Sequence, residues 1–434
     1  MMADLALPGY EGLDRETARC FRLLVCHPGP DLSVDAAAAI VGCTPRTAAR
    51  RCAQLVAAGL AAAAPAGDGM PARYGVPAEI GQQACAIADT AADRDELRAR
   101  LAQWYLAGAH TADTVLTPWR RRDRIRITGL PADVVRLPSY DAALEWLEAE
   151  QDSLAAVVTG LAGRQPLLAW QIADAMWPLY LLRGTPVLRR RLEQTALDCA
   201  EQLADPRRIA QALLRYGETL HAQGEQTQAL ALLRASRDAA TRSHDMWGIA
   251  AATEAMAMTA NSMGAHDEAY YLLTPQRLVF RSLHDLRRAA LTELHLAAVH
   301  RARGELDQAL AALTAAETLL DAPGTPADPY ARALVQIAHG EILIARGDHD
   351  TARELLVGAL VTTTTLHALS GQAQALRHLG ELALAQGDTA LALTRLHAAV
   401  RLFTAHGSHH EAGAVNALIA AASRTRRHPT RRRD

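Results

Sequence analysis

Beyond residue 166 the apolar and polar positions alternate with helical period, and the alternation itself repeats. Tyr216 and Gly217 precede Gly224, with Ala229 and Leu233 after it. Ala257, Gly264, Ala269 and Leu273 occupy the same places, as do Ala297, Gly304, Ala309 and Leu313, then Gly340, Gly347, Ala352 and Leu356, then Gly380, Gly387, Ala392 and Leu396. Each unit reads as two amphipathic helices around a glycine, with small residues where the two helices cross closely. With Gly184 included, the glycines are spaced 40, 40, 40, 43 and 40 residues apart. One such hairpin cannot bury its apolar face alone, so a period of this length predicts a stacked solenoid. Arg189 fills the alanine slot after Gly184, as a degenerate terminal repeat would, and Ser408 to Ala422 reads as a closing helix.

The first 90 residues follow a different pattern. Ala18, Phe21, Leu24 and Val25 mark a helix from Asp14 to Cys26 that His27-Pro28-Gly29-Pro30 must end. Ser33 caps a short second helix through Val41, Gly42-Cys43 turns, and Thr44-Pro45 opens a third helix by the cap-then-proline rule. The third helix, Arg46 to Ala58, turns Arg46, Thr47, Arg50, Arg51 and Gln54 outward, and Ala61 to Tyr74, carrying Gly67-Asp68-Gly69, suits a two-stranded wing. This stretch resembles winged helix-turn-helix domains, whose recognition helix enters a major groove. Acidic residues outnumber arginines here, which weakens a nucleic-acid reading because charge supplies most non-specific affinity.

Residues 91–165 read as a helical connector. A helix covers Asp93 to Ala107, and another runs from Ser139 to Thr159 with Ser139 or Asp141 as its cap. Between them the run 119–126, Trp119-Arg120-Arg121-Arg122-Asp123-Arg124-Ile125-Arg126, reads as a solvated basic linker, because no aromatic interleaves with the arginines to stack a base.

The segment Ala143-Leu144-Glu145-Trp146-Leu147-Glu148-Ala149-Glu150, together with Phe21-Arg22-Leu23-Leu24 and His27-Pro28-Gly29-Pro30-Asp31-Leu32-Ser33, resembles the rear part of actinobacterial SARP-type regulators, which belong to the STAND class of signalling ATPases. The resemblance implies a winged helix, a helical connector and tetratricopeptide repeats over nearly the whole chain. It does not extend to the motor. All 45 basic residues are arginine, so no GxxxxGK[ST] phosphate loop exists in this sequence. The family's nucleotide-sensing His-Asp pair is replaced by Gly75-Val76-Pro77-Ala78 after Arg73-Tyr74. Nucleotide-driven switching is therefore not carried over, and no cofactor is expected.

Composition sharpens this picture in three ways. Half the residues are hydrophobic and only 4% aromatic, which favours helices over sheets and an all-α class. The net charge of -2 argues against a globally basic nucleic-acid binder. Cysteines at 20, 26, 43, 52, 85 and 199 lack metal spacing, and no apolar run approaches a membrane span, so a reduced, cytoplasmic protein is expected. Histidines recur near repeat junctions, at 244, 284, 367, 406, 409 and 410. Stacked repeats are about 10 Å apart, too far for two of them to share a metal at ~2.1 Å. Loop polarity explains them, and no metal site is expected.

In such repeats the first helix of each hairpin lines the concave face. Glu218, His221, Glu254, Met258, Asn261, Arg301, Glu341, Arg377 and Glu381 fall there, a somewhat acidic lining suited to a peptide, protein or small-molecule ligand. The sequence thus reads as a regulatory or adaptor protein of a secondary-metabolism type pathway. Two rivals stay open. One is a DNA-binding regulator acting through Arg46, Thr47, Arg50 and Arg51; the other is an enzyme on the repeat scaffold using Glu218, His221 and Glu254 as acid-base groups. Residues 166–423 form the repeats in this reading, and 424–434, rich in arginine, a disordered basic tail.

Overall fold

The computed structural model describes residues 7–64, 71–131 and 133–427. They form two compact units, Met1–Pro178 and Leu179–Asp434. Both are predominantly helical, and the first also holds a small sheet. Among the described residues no helix is long and apolar enough to cross a membrane.

The first unit begins with α1 (Arg15–Cys26), β1 (Leu32–Ser33), α2 (Val34–Val41), α3 (Pro45–Ala57), β2 (Ala62–Ala64) and β3 (Arg73–Gly75). The local signals act as the sequence suggests. Asp14 caps α1 by accepting from the amides of Glu16 and Thr17, and Ser33 caps α2 through the amide of Ala36 at 3.3 Å. Thr44 caps α3 through the amide of Thr47 at 3.2 Å, with Pro45 in the first turn. The strands pair antiparallel in the order β1-β3-β2, with Leu32 opposite Tyr74 and Ala63 opposite Tyr74 on the other side. Phe21, Leu23, Ile40, Ala48, Cys52 and Leu55 close the core between the helices. Gly67-Asp68-Gly69 of the expected wing lies outside the described residues.

A short helix α4 (Gly81–Thr90) leads to α5 (Arg94–Leu116), α6 (Tyr140–Leu161) and α7 (Pro166–Ala175). Ser139 caps α6, through the amide of Ala142 at 3.1 Å. One buried ion pair joins the sheet to this connector. The Arg73 guanidinium makes two bonds to the Glu150 carboxylate, at 2.6 and 3.0 Å, and a third to Asp31, while Tyr105 donates to Glu150 and meets the His27 ring at 2.8 Å. Burying Glu150 without that guanidinium would leave a charge unpaired, so this pair fixes β3 against α6.

The basic run at 119–126 is solvated only in part: Arg121, Arg124 and Arg126 are exposed, while Arg120 and Arg122 turn inward. Arg120 is buried, bonds Asp113 at 2.6 Å and Asp174, and lies over the Trp177 ring at 5.4 Å. Arg122 also bonds Asp113, at 2.9 Å, and the Thr117 carbonyl. The fully buried Asp113 one turn before the end of α5 draws the arginines inward, so the segment clamps α5 to α7.

The second unit continues from α8 (Trp177–Arg183), which straddles the boundary between the units, with α9 (Pro186–Gln202), α10 (Pro206–Ala222), α11 (Gln226–Arg242), α12 (Met246–Ser262), α13 (His266–Ser282), α14 (Leu286–Ala302) and α15 (Leu306–Leu320). It ends with α16 (Pro329–Arg346), α17 (His349–Thr365), α18 (Leu369–Ala385), α19 (Thr389–His406) and α20 (His409–Arg427). The last helix thus runs five residues past the expected end at Ala422, and residues 428–434 of the expected tail lie outside the described residues.

These are the predicted hairpins, and the repeated residues do the work their spacing implies. Ala229, Ala269, Ala309, Ala352 and Ala392, and the leucines four positions on, are completely buried. Each such leucine contributes about 2 kcal/mol of apolar burial. At Gly347 the chain adopts φ +81°, ending α16 in the left-handed conformation that lets the Asp348 amide reach back to the Leu343 carbonyl at 3.0 Å. Gly340 is glycine for another reason: a Cβ there would lie 2.6 Å from Leu356 Cγ, inside the crossing of α16 and α17. The junction histidines also gain a physical role. His244, His284 and His367 have φ of 53°, 57° and 53°, a conformation in which histidine is one of the few side chains enriched.

Candidate functional site

α10, α12, α14, α16 and α18 are the first helices of their hairpins and carry the concave residues. The sequence places four glutamates there, with Arg301 and Arg377, in a mixed but somewhat acidic lining. Each glutamate has an arginine: Glu218 with Arg215 at 3.2 Å, Glu254 with Arg288 at 2.6 Å, Glu341 with Arg301 at 3.2 Å, and Glu381 with Arg377 at 3.0 Å. The face is therefore zwitterionic. The correction has a simple cause, since helical period places a residue on a face but says nothing of the counter-ion a neighbouring turn or helix supplies.

Glu254 departs furthest from expectation. It is fully buried, and besides Arg288 its carboxylate accepts from Thr292 at 2.8 Å and faces His295 Nδ1 at 3.1 Å. Burial alone would raise its pKa, but Arg288, His295 and Thr292 outweigh that and hold it at about 2. A carboxylate fully buried and engaged by Arg288, Thr292 and His295 is closed to a ligand, so Glu254 leaves the acid-base set and becomes the pin between α12 and α14. Glu381 is similarly held at about 2: burial opposes, and His378 and Arg377 prevail.

Glu218 and His221, on α10, are both half-buried. His221 Nδ1 faces Gln226 Oε1 at 2.9 Å and Thr259 Oγ1 at 3.2 Å. The Thr259 hydroxyl already donates to the Ala255 carbonyl, so Nδ1 is the donor and Nε2 is left as an acceptor. Burial lowers the ring's pKa, offset in part by Gln226, Glu218 and Glu411, so it is neutral at pH 7. Met258 is half-buried, and Asn261 Oδ1 meets His266 Nδ1 at 2.7 Å. Arg301 is exposed and Arg377 half-buried. Sequence reasoning missed Arg288, Thr292, His295 and Glu411. The first three stand at i, i+4 and i+7 in α14, a polar stripe on a mostly apolar helix, which is the signal that could have found them.

The two ends of the repeat array touch. The end of α19 lies against the turn before α9, so closely that a Cβ at Gly184 would overlap the His406 carbonyl and one at Gly407 the Pro186 ring. Arg183 donates to the His367 carbonyl at 3.1 Å. Thr185 in the same turn is held at φ +42°, a strained setting for a β-branched residue. The Glu411 carboxylate at the start of α20 accordingly acts on the His221 ring of α10. The two ends of the array within this unit are therefore in direct contact.

The residues proposed for DNA contact separate in the first unit. Arg46 and Arg50 are exposed on α3, Thr47 is half-buried with its hydroxyl against that of Thr44, and Arg51 lies 3.6 Å from Glu16. Arg73, at the base of the expected wing, is committed to Glu150.

No family model matches the chain. It is 27% identical over 365 residues to the regulatory protein AfsR of Streptomyces griseus, covering 81% of this chain and 35% of that protein. It is 28% identical over 250 residues to AfsR of Streptomyces coelicolor, covering 54% of this chain and 24% of that one. The chain thus spans about a third or less of the length of these relatives, and its resemblance to SARP-type regulators is borne out over most of its residues. Among solved structures, a Rap protein complexed with competence and sporulation factor matches with a TM-score of 0.50 at 12% identity, covering 79% of this chain and 91% of that one. That likeness bears on fold and supports the helical-repeat reading.

Proposed function

We propose that this chain is a regulatory or adaptor protein whose repeats bind an extended peptide or small-molecule signal inside the closed concave channel, within a secondary-metabolism type pathway. The observation that carries the reading is the seam between Gly184–Pro186 and His406–Gly407, because a laterally closed channel admits a thin ligand along its axis and excludes a folded partner. The zwitterionic lining suits an occupant with both charges or with polar backbone, such as a peptide. Similarity to regulators supports a signal-binding role. Affinity selection of hexapeptides on the purified chain tests this. Selected peptides should lose about tenfold or more in affinity on Ala298→Trp, which fills the channel wall of α14. Binding indifferent to that substitution would place the ligand elsewhere.

A second reading rests on the exposure of Arg46 and Arg50 at the start of α3. The order α1, β1, α2, α3, β2, β3 supports a winged-helix reading, in which α3 contacts duplex DNA. With Arg51 and Arg73 engaged by carboxylates, few cations remain, so binding would be weak and strongly dependent on salt. Fluorescence anisotropy on a random duplex at low salt, with Arg46→Ala and Arg50→Ala together, decides it.

A further inference from the structure

The contact between the two ends of the repeat array brings together acceptors that the chain itself does not satisfy. Pro186 marks the junction. Its carbonyl accepts from the Gln223 side chain, just past α10, at 3.3 Å, and a Cβ on Gly407, just before α20, would overlap its ring. His221 approaches this junction from the last turn of α10 and Glu411 from the first turn of α20, and the charge of Glu411 acts on the His221 ring.

Glu411 is half-buried, its Oε2 is wholly covered, and nothing among the described residues donates to its carboxylate. Covering a carboxylate oxygen without a donor costs free energy that only a cation or donor from outside the chain can offset. Within the chain its support is the positive end of the α20 dipole, a weak effect at a partly exposed site. Arginines of the surrounding helices are engaged elsewhere. Arg215 bonds Glu218 at 3.2 Å, Arg288 pairs with Glu254 at 2.6 Å, and Arg189 lies over the Tyr180 ring at 5.9 Å.

His221 and Glu218 add acceptors from α10. With Nδ1 of His221 facing Gln226 and Thr259, Nε2 is left to accept. Glu218, three residues earlier on the same face of the helix, holds Arg215 through Oε2 and leaves Oε1. Glu218 and Arg215 cancel in charge, so Glu411 leaves the group one negative charge in excess. An ammonium has three donors and no acceptor, which suits one oxygen of Glu411, one of Glu218 and the His221 nitrogen. A guanidinium would seek both oxygens of one carboxylate, and Oε2 of Glu411 is covered.

We propose that Glu411, His221 and Glu218 form a binding site for a primary ammonium group, which anchors the ligand of the concave face where the two ends of the array meet. This inference rests on the channel reading above and narrows its ligand class to one bearing an amine, whether the amino terminus of a peptide or a lysine side chain.

The probes are trialanine amide with a free amino terminus, its N-acetyl form, and that N-acetyl form with lysine as the third residue, each titrated calorimetrically into the full chain. At least one of the two amines should bind about tenfold or more tightly than the neutral peptide. The stronger of the two identifies the source, amino terminus or side chain. Glu411→Gln should reduce that advantage to under about twofold and, because the carboxylate has no partner in the chain, shift the melting temperature of the free protein by less than about 3 °C. An advantage that survives Glu411→Gln overturns the location. A larger fall in melting temperature shows a carboxylate committed to the fold and overturns the site. Equal binding of all the probes, or binding of none up to on the order of 10 mM, overturns the ammonium assignment. The channel reading fails separately, when hexapeptides selected on the chain are indifferent to Ala298→Trp.

Discussion

Replacing Glu254 by glutamine removes one charge from a pair whose carboxylate is fully buried and whose guanidinium is mostly so. Glu254 is fully buried, and Arg288 lies 2.6 Å away with its guanidinium over the rings of Trp247 and Phe280. Breaking a buried pair by deleting one partner costs about 3–5 kcal/mol, because the remaining cation keeps its desolvation penalty without its attraction. In a unit of this size each kcal/mol lowers the melting temperature by about 2–4 °C, so Glu254→Gln should lower the transition of the repeats by about 10 °C. The double substitution Glu254→Leu with Arg288→Met removes both charges and keeps the volume filled. It should recover most of the loss, since buried pairs replaced by apolar residues are commonly neutral or better. Thermal melts at 222 nm on the full chain read both variants. A single substitution costing under about 1 kcal/mol, or a double one costing more than the single, would refute the assignment of Glu254 as an ionised pin.

Other outcomes follow from the same geometry. Gly347→Ala forces a Cβ into φ +81° and should cost about 1–2 kcal/mol, while Gly340→Ala, pressed on buried Leu356 at 2.6 Å, should cost about 1–3 kcal/mol by overpacking; urea midpoints measure both. Arg73→Met strands the buried Glu150 carboxylate and should destabilise the first unit by about 3–5 kcal/mol, whereas Arg50→Ala on the exposed face of α3 should change stability by under about 0.5 kcal/mol. Burial lowers the His27 pKa from 6.5 to about 4, so the unfolded chain takes up this proton first. Stability from keeping the ring neutral is complete above pH 6.5 and is lost as pH falls towards 4, and His27→Gln should flatten that slope in pH-dependent melts.

The repeats were legible because their architecture is local and periodic. Gly224, Gly264, Gly304, Gly347 and Gly387 end helices through backbone geometry that only a few residues adopt, and the alanine and leucine after each fill one crossing. The caps Ser33, Thr44 and Ser139 were legible for the same reason, since each acts on an amide three residues away. Side chains paired across long sequence separations were not. Arg73 meets Glu150 77 residues later, and Arg120 reaches Asp174 54 residues later, which buries two arginines of an otherwise solvated run. Glu254 was assigned to the correct helix face, yet the stripe of Arg288, Thr292 and His295 that encloses it belongs to the next hairpin. The approach of Glu411 to His221 depends on the accumulated rotation of every repeat between them, a quantity that no single window of sequence contains.

Hydrogen exchange on the full chain, with and without a peptide selected for binding, tests the channel reading most directly. The account predicts added protection in α10, α12 and α14 and at the start of α20, the helices that bring His221, Glu218 and Glu411 to one channel. Protection confined to the outer helices α11, α13, α15 and α17, or to the first unit, would contradict it.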